Sequence, residues 1–184
     1  MSWKPHIQKV LKKGNSSLGF LRRNLRIGNE EVKSAAYFSL VRSILEYCGT
    51  VWSPYHKEQI HDLEMVQRRA ARYVTNRYHN TSSVTSMLEH LQLETLESRR
   101  TKAKLTMVYK ITNDLMDIPV SKYLSPGSNR TRANYSIKFL PLSTSTSFYR
   151  HSFFPSIIAT WNNLPASIEG GLSAGSYKRI INRP

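Results

Sequence analysis

Over most of this chain the apolar positions recur at helical spacing and not with the two-residue alternation of strands. Trp3, Ile7, Val10 and Leu11 predict a short amphipathic helix that ends before Gly14, where Gly14, Asn15, Ser16 and Ser17 punctuate the sequence. An apolar and basic stretch follows from 18 to 26, broken by Gly28 and Asn29. Asn29 is a good N-cap, and Glu30 and Glu31 stand where the helix dipole favours acids. Val32, Ala35, Ala36, Leu40, Ile44, Tyr47, Cys48 and Val51 then share one face, predicting a helix that stops before Ser53 and Pro54.

Ser53 as N-cap with Pro54 at the first helical position predicts the next helix. Its apolar face is Ile60, Leu63, Val66, Ala70 and Val74, with Lys57, Glu64, Arg68 and Arg72 opposite. A polar turn at 76–83 closes it, and Ser83 caps a short helix bearing Val84, Met87, Leu88 and Leu91. A longer helix over 95–117 carries Leu96, Ala103, Met107, Ile111 and Leu115 and is ended by Pro119. The stretch 119–150 is rich in Ser, Thr, Asn and Pro and reads as loop, with a short strand or two near 137–142. Phe153, Phe154, Ile157, Ile158, Trp161 and Leu164 return to helical spacing until Pro165, and Gly170, Gly171 and Gly175 predict a frayed end. The expected fold is mainly α, a helical bundle with an irregular C-terminal extension. Its expected segments are a basic N-terminal helix and linker at 1–28, the bundle at 29–118, and a basic tail with one short helix at 119–184.

Charge gives this helical outline a direction. The formal net charge is +15, and self-repulsion on that scale favours a polyanionic partner. Residues 1–27 carry Lys4, Lys9, Lys12, Lys13, Arg22, Arg23 and Arg26 and no acid, and beyond Pro119 the only acid is Glu169. The middle is near neutral, so a balanced helical body with two basic flanks is expected. The lone cysteine, Cys48, rules out a Cys-rich zinc site and fits a reducing compartment; its place on the apolar face suggests a buried, inert thiol. Sequons at Asn15, Asn80, Asn129 and Asn134 follow no signal peptide, and no apolar run approaches the ~20 residues of a membrane span. These features predict an intracellular protein, nuclear or cytoplasmic, with no membrane partner.

The acidic inventory argues against catalysis. Two-metal phosphoryl transfer needs carboxylates converging on ions ~3.5–4 Å apart, whereas Asp62, Asp114 and Asp117 are the only aspartates and none are adjacent. Asp114 and Asp117 share a helix face but stand near a helix C-terminus, where solvated helix-end acids are the plainer reading. There is no Gly-rich phosphate loop and no His-Glu-x-x-His among the histidines. His61 and Glu64 could meet on one helix, where a surface hydrogen bond is the plainer reading than a metal pair. No catalytic residue, metal or cofactor is expected.

The positive signal is clustered arginine. Phe20, Arg22, Arg23 and Arg26 form one set; Gln67, Arg68, Arg69, Arg72 and Arg77 a second; Arg99, Arg100, Lys102 and Lys104 a third. Arg68 and Arg72, four apart, present two guanidinium groups on one face, and something must compensate them. Phosphate oxygens do so bidentately; Glu64 one turn earlier, or acids on neighbouring helices, would do so too. Both readings stay open for the second set, while the acid-free first set favours phosphate. Arg22, Arg23, Arg26, Arg68, Arg69, Arg72, Arg99 and Arg100 are thus the candidate nucleic-acid-binding residues.

Five motifs occur in order: LGFLRRNL at 18–25; LVRSILEYC at 40–48 followed by VWSPY at 51–55; LEMVQRRAARYV at 63–74; LESRR at 96–100 followed by YKI at 109–111; and SFFP at 152–155 with WNNLP at 161–165. Together they resemble the region behind the polymerase palm in jockey- and CR1-like non-LTR retrotransposon reverse transcriptases. The resemblance runs from about Trp3 to Ile180. It implies that the fingers and palm, with their Tyr-x-Asp-Asp carboxylates, lie outside this chain, that it begins where the catalytic part ends, and that a fingers–palm segment could act in trans. It also implies that the helices at 30–74 are thumb-like and grip a template–primer duplex, which makes RNA or an RNA–DNA duplex the expected partner. Some relatives bear a Cys/His zinc knuckle near the C-terminus, which Cys48 alone cannot form. The alternatives are a protein–protein packing module and a degenerate transposon remnant without retained function.

Overall fold

The computed structural model describes residues 3–79, 81–126 and 138–164, and about two thirds of them are helical. The fold is mainly α. The chain divides into two compact units, Met1–Arg100 and Thr101–Pro184, where the sequence pattern placed its breaks at 28/29 and 118/119. The segment before residue 28 belongs with the helices after it because Ile7, Val10, Leu18 and Leu21 lie in the same buried cluster as Tyr37, Val41, Leu45, Leu63 and Val66.

In the first unit, α1 spans Lys4–Asn24. It continues through the four residues expected to break it. Gly14 is buried, and a Cβ there would lie 2.9 Å from a Leu45 methyl carbon, so this glycine lets two helices approach closely and does not make a turn. Asn15 donates its side-chain amide to the carbonyl of Leu11 at 3.0 Å, a bond that helical backbone accommodates.

The next helix is α2 (Glu30–Tyr37), a π-helical turn (Phe38–Arg42) and α3 (Ser43–Glu46) in succession. Asn29 caps it as expected, accepting from the Val32 amide at 2.9 Å. The buried row differs from the expected one: Lys33, Tyr37, Val41 and Leu45 face inward, Ala36 and Ile44 of the expected face are partly buried against the core, and Val32, Leu40, Tyr47 and Val51 are exposed. Four-residue steps drift by roughly 40° each on an ideal α-helix. A turn with i→i+5 bonding rotates less per residue and holds the row on one side. The helix ends at Glu46, and Cys48 is exposed with a left-handed backbone (φ 52°), not buried.

Helix α4 is Lys57–Thr75. His56, not Ser53, precedes it, so Pro54 lies in the connecting loop. Leu63, Val66, Ala70 and Val74 are buried as their spacing predicts, and Asn76 ends the helix in the left-handed conformation (φ 55°). Gly14 lies against Val66, Asn15 bonds Arg69, and the Leu21 carbonyl meets the Tyr73 hydroxyl, so α1 and α4 run parallel. Tyr37 bonds Gln67 and Lys33 approaches Tyr73, so α2 runs antiparallel to α4.

Ser83 caps α5 (Val84–His90), accepting from the Ser86 amide, and the His90 ring lies 2.9 Å from the Glu30 carboxylate. Helix α6 spans Leu96–Thr112 and stops short of the expected end near 117. Asp114 takes a left-handed backbone (φ 52°) and the Leu115 amide reaches back to the Lys110 carbonyl at 2.9 Å, a glycine-free version of the αL helix stop. Leu115 and Ala103 are exposed, and Leu105, Val108, Tyr109 and Ile111 are buried.

The second unit packs those α6 side chains with Leu124, Phe139, Ile157, Ile158 and Trp161. Its short helices are α7 (Val120–Tyr123), α8 (Ser147–Arg150) and α9 (Phe153–Asn162). Where a strand was expected near 137–142, the described residues hold one isolated bridge, Pro126 with Phe139. Asn162 supplies the missing ladder partner: its amide accepts from the Phe139 N–H at 3.0 Å and donates to the Phe139 carbonyl at 2.8 Å. Ile137, Pro165, the glycines at 170, 171 and 175, and the sequons at Asn80, Asn129 and Asn134 lie outside the described residues.

Candidate nucleic-acid interface

The three arginine sets, so alike in sequence, have different fates. The third is used inside the protein. Arg99 grips both oxygens of Glu46, one through Nε and the other through Nη2 at 3.1 Å, and this hydrogen bonding raises its pKa above the ordinary arginine value. Arg100 is 4% exposed. Its Nη2 donates to the Leu45 carbonyl at 2.9 Å and its guanidinium lies 5.3 Å from the centre of the Trp52 ring. Burial lowers its pKa, opposed by the charges of Glu64, Glu46 and Glu97. Of these two arginines expected at the interface, Arg99 is thus an ion-pair partner of Glu46 and Arg100 a core residue. Lys104, in the second unit, donates to the Ser156 hydroxyl at 3.4 Å.

For the second set the question was whether Glu64 neutralises it. Glu64 is instead turned to the start of α6, where it accepts from the Glu97 N–H at 3.1 Å. Partial burial raises its pKa, and that backbone bond opposes the rise. Arg42–Glu46, Arg99–Glu46 and His90–Glu30 are ion pairs of the first unit; among the described residues none involves Arg68, Arg69 or Arg72. These three arginines and His61 line a surface cavity of about 310 Å³. Arg69 donates to the Asn15 side-chain oxygen Oδ1 at 3.0 Å, which tethers the α4 arginines to α1. Gln67, placed in this set by sequence, is 1% exposed and belongs to the core.

The first set stands at the end of α1. Arg22, Arg23 and Arg26 are all exposed, and with Gly19 they line an open cleft. Because α1 and α4 run parallel, this end also carries Tyr73, Asn76 and Tyr78. Arg22 lies 5.5 Å over the Tyr78 ring. Basic residues near a helix C-terminus are favoured by its dipole, so part of their repulsion is offset without any carboxylate.

Sequence reasoning missed Lys33, Tyr73 and Tyr78, which join Arg22 and Arg26 around a second cavity of about 270 Å³. One signal was available: Lys33 stands in a four-residue row with Tyr37, Val41 and Leu45, a lysine on an otherwise apolar line.

Among the described residues no three His, Cys, Asp or Glu side chains converge as a metal-ligand set, and no helix is long and apolar enough to cross a membrane. The first unit thus presents a basic, aromatic-edged face on α1 and α4 of a helical bundle. No protein-family profile, curated protein or solved structure matches this chain.

Proposed function

We propose that this chain binds nucleic acid through backbone phosphates, as a non-catalytic helical module derived from the thumb region of a non-LTR retrotransposon reverse transcriptase. The observation that carries this reading is that Arg22, Arg23, Arg26, Arg68, Arg69 and Arg72 have no carboxylate partner among the described residues, while the arginines at 42 and 99 on this unit's helices do. An array of uncompensated guanidinium groups is unfavourable unless an external anion meets it, and phosphate matches their fork geometry. The five ordered motifs support RNA or an RNA–DNA duplex as the target. Phosphate contacts carry no base information, so sequence preference is weak.

Titrating an RNA–DNA duplex at several salt concentrations tests this directly. With four to six phosphate contacts, log K falls against log salt with a slope of roughly −3 to −5. An affinity indifferent to salt would sink the reading.

A second reading, a protein–protein packing module, is favoured by the outward side of α2 and α3. Val32, Leu40 and Tyr47 are exposed there, Tyr47 to 75%, and apolar exposure of this kind marks contact surfaces. It predicts concentration-dependent self-association by sedimentation, with an oligomer size unaffected by added nucleic acid; a monomer at all concentrations rejects it.

A further inference from the structure

The cavity between α1, α2 and the end of α4 has an unusual inner wall. Lys33 lines it and is only 5% exposed. Among the described residues no carboxylate and no hydrogen-bond acceptor takes its ammonium. Its nitrogen lies 5.4 Å from the centre of the Tyr73 ring, a cation–π contact. A lysine so largely covered yet without an acidic partner is satisfied by water or an anion admitted through the cavity it lines. Arg22 and Arg26, both exposed, flank the same cavity, and Asn76 adds an amide. No acidic residue lines it.

Three converging cations around about 270 Å³ suit a small, compact dianion. A phosphate monoester carries about −1.5 to −2 at neutral pH, whereas each internal phosphodiester carries a single charge and is flanked by sugars on both sides. A phosphodiester within a duplex can lie along Arg22 and Arg26, but its neighbours keep it from reaching an ammonium set behind them. A strand terminus has no such obstruction. Tyr78 at the rim remains 49% exposed, an aromatic surface on which a terminal base can stack. We propose that this pocket holds the 5′-terminal phosphate of a nucleic-acid strand, with Lys33 as the inner ligand, Arg22 and Arg26 closing over it, and Tyr78 carrying the first base. The proposal deepens the nucleic-acid-binding reading and rests on it for the identity of the ligand's bearer.

The test uses the full chain and one single-stranded oligonucleotide prepared with a 5′-phosphate, a 5′-hydroxyl or a 3′-phosphate. The 5′-phosphorylated strand should bind about tenfold more tightly than either other form, as expected for one added charge-assisted contact. Lys33→Met should abolish that ratio. Should Lys33→Met fail to fold, Arg26→Gln, at an exposed position, should shrink the same ratio. Equal affinity for all three strands overturns the pocket while leaving backbone binding intact. Absence of binding by every strand overturns the backbone reading. In that case inorganic phosphate remains as the probe: a rise in Tm lost in Lys33→Met keeps the pocket as an anion site, and no rise removes it.

Discussion

Alanine at Arg22, Arg23 and Arg26 together weakens binding to RNA–DNA duplex by about 100-fold, from three solvent-exposed ion contacts of about 1 kcal/mol each. The weakening is the same for every sequence, because these side chains meet phosphates and not bases. The salt slope becomes shallower by roughly 2 to 3 units, the number of counterions no longer released. All three side chains are exposed, so circular dichroism and Tm should hardly change. Arg99→Ala is the informative contrast: it removes the grip on Glu46 and should lower stability while leaving the slope unaltered. Undiminished affinity in the triple variant would remove the α1 arginines from the interface.

Gln67→Leu is expected to be the most damaging conservative-sized change in the first unit. Its side chain is 1% exposed and both ends of its amide are used. The carbonyl oxygen accepts from the Tyr37 hydroxyl at 3.0 Å, and the nitrogen donates to the Glu94 carbonyl at 2.7 Å. Tyr37 is fully buried, and desolvation, the largest cause, pushes its pKa far above the ordinary tyrosine value. Ionisation is therefore no escape for an unpaired hydroxyl. Leucine leaves that hydroxyl and the Glu94 carbonyl without their partner, at about 1–3 kcal/mol for each group, or a Tm lower by about 10 °C. Adding Tyr37→Phe should recover part of the loss, because an apolar pair is less costly than one orphaned polar group. A single variant within about 0.5 kcal/mol of the parent would show that this network contributes little.

Both results follow from the same arrangement. The row Lys33, Tyr37, Val41 and Leu45 faces inward, toward α4 and α1. Tyr37 thereby reaches Gln67, Leu45 reaches Gly14, and Lys33 is left at the end of the row beside Tyr73. The same helix that completes the core delivers a cation to the edge of the arginine cluster. Core packing and the candidate phosphate pocket are consequences of one helix rotation.

Some of this was readable from the residues alone, because the deciding interactions are local. A helix and its ends are governed by groups about four positions apart. Asn29 and Ser83 therefore cap where they were expected to, Asn76 ends α4, and the spacing of Leu63, Val66, Ala70 and Val74 marks its buried side. The mainly helical class and the exposed, acid-free arginines at the end of α1 follow from the same short-range patterns. Other features depended on residues far along the chain. Gly14 can sit in a helix because Leu45 needs the space, and Arg99 is paired by Glu46, 53 positions earlier. Glu64 leaves the α4 arginines unpaired because the start of α6 offers it an N–H. Which face of α2 and α3 turns inward was decided the same way. Both sides carry enough apolar residues to be buried, and the choice depends on how well each packs against two other helices, which no local periodicity records. Composition and periodicity thus determined that the chain is helical and where its bare positive charge could lie. Tertiary packing decided which charges remained free and placed Lys33 behind them, because pairing and burial depend on separation in space, not along the chain.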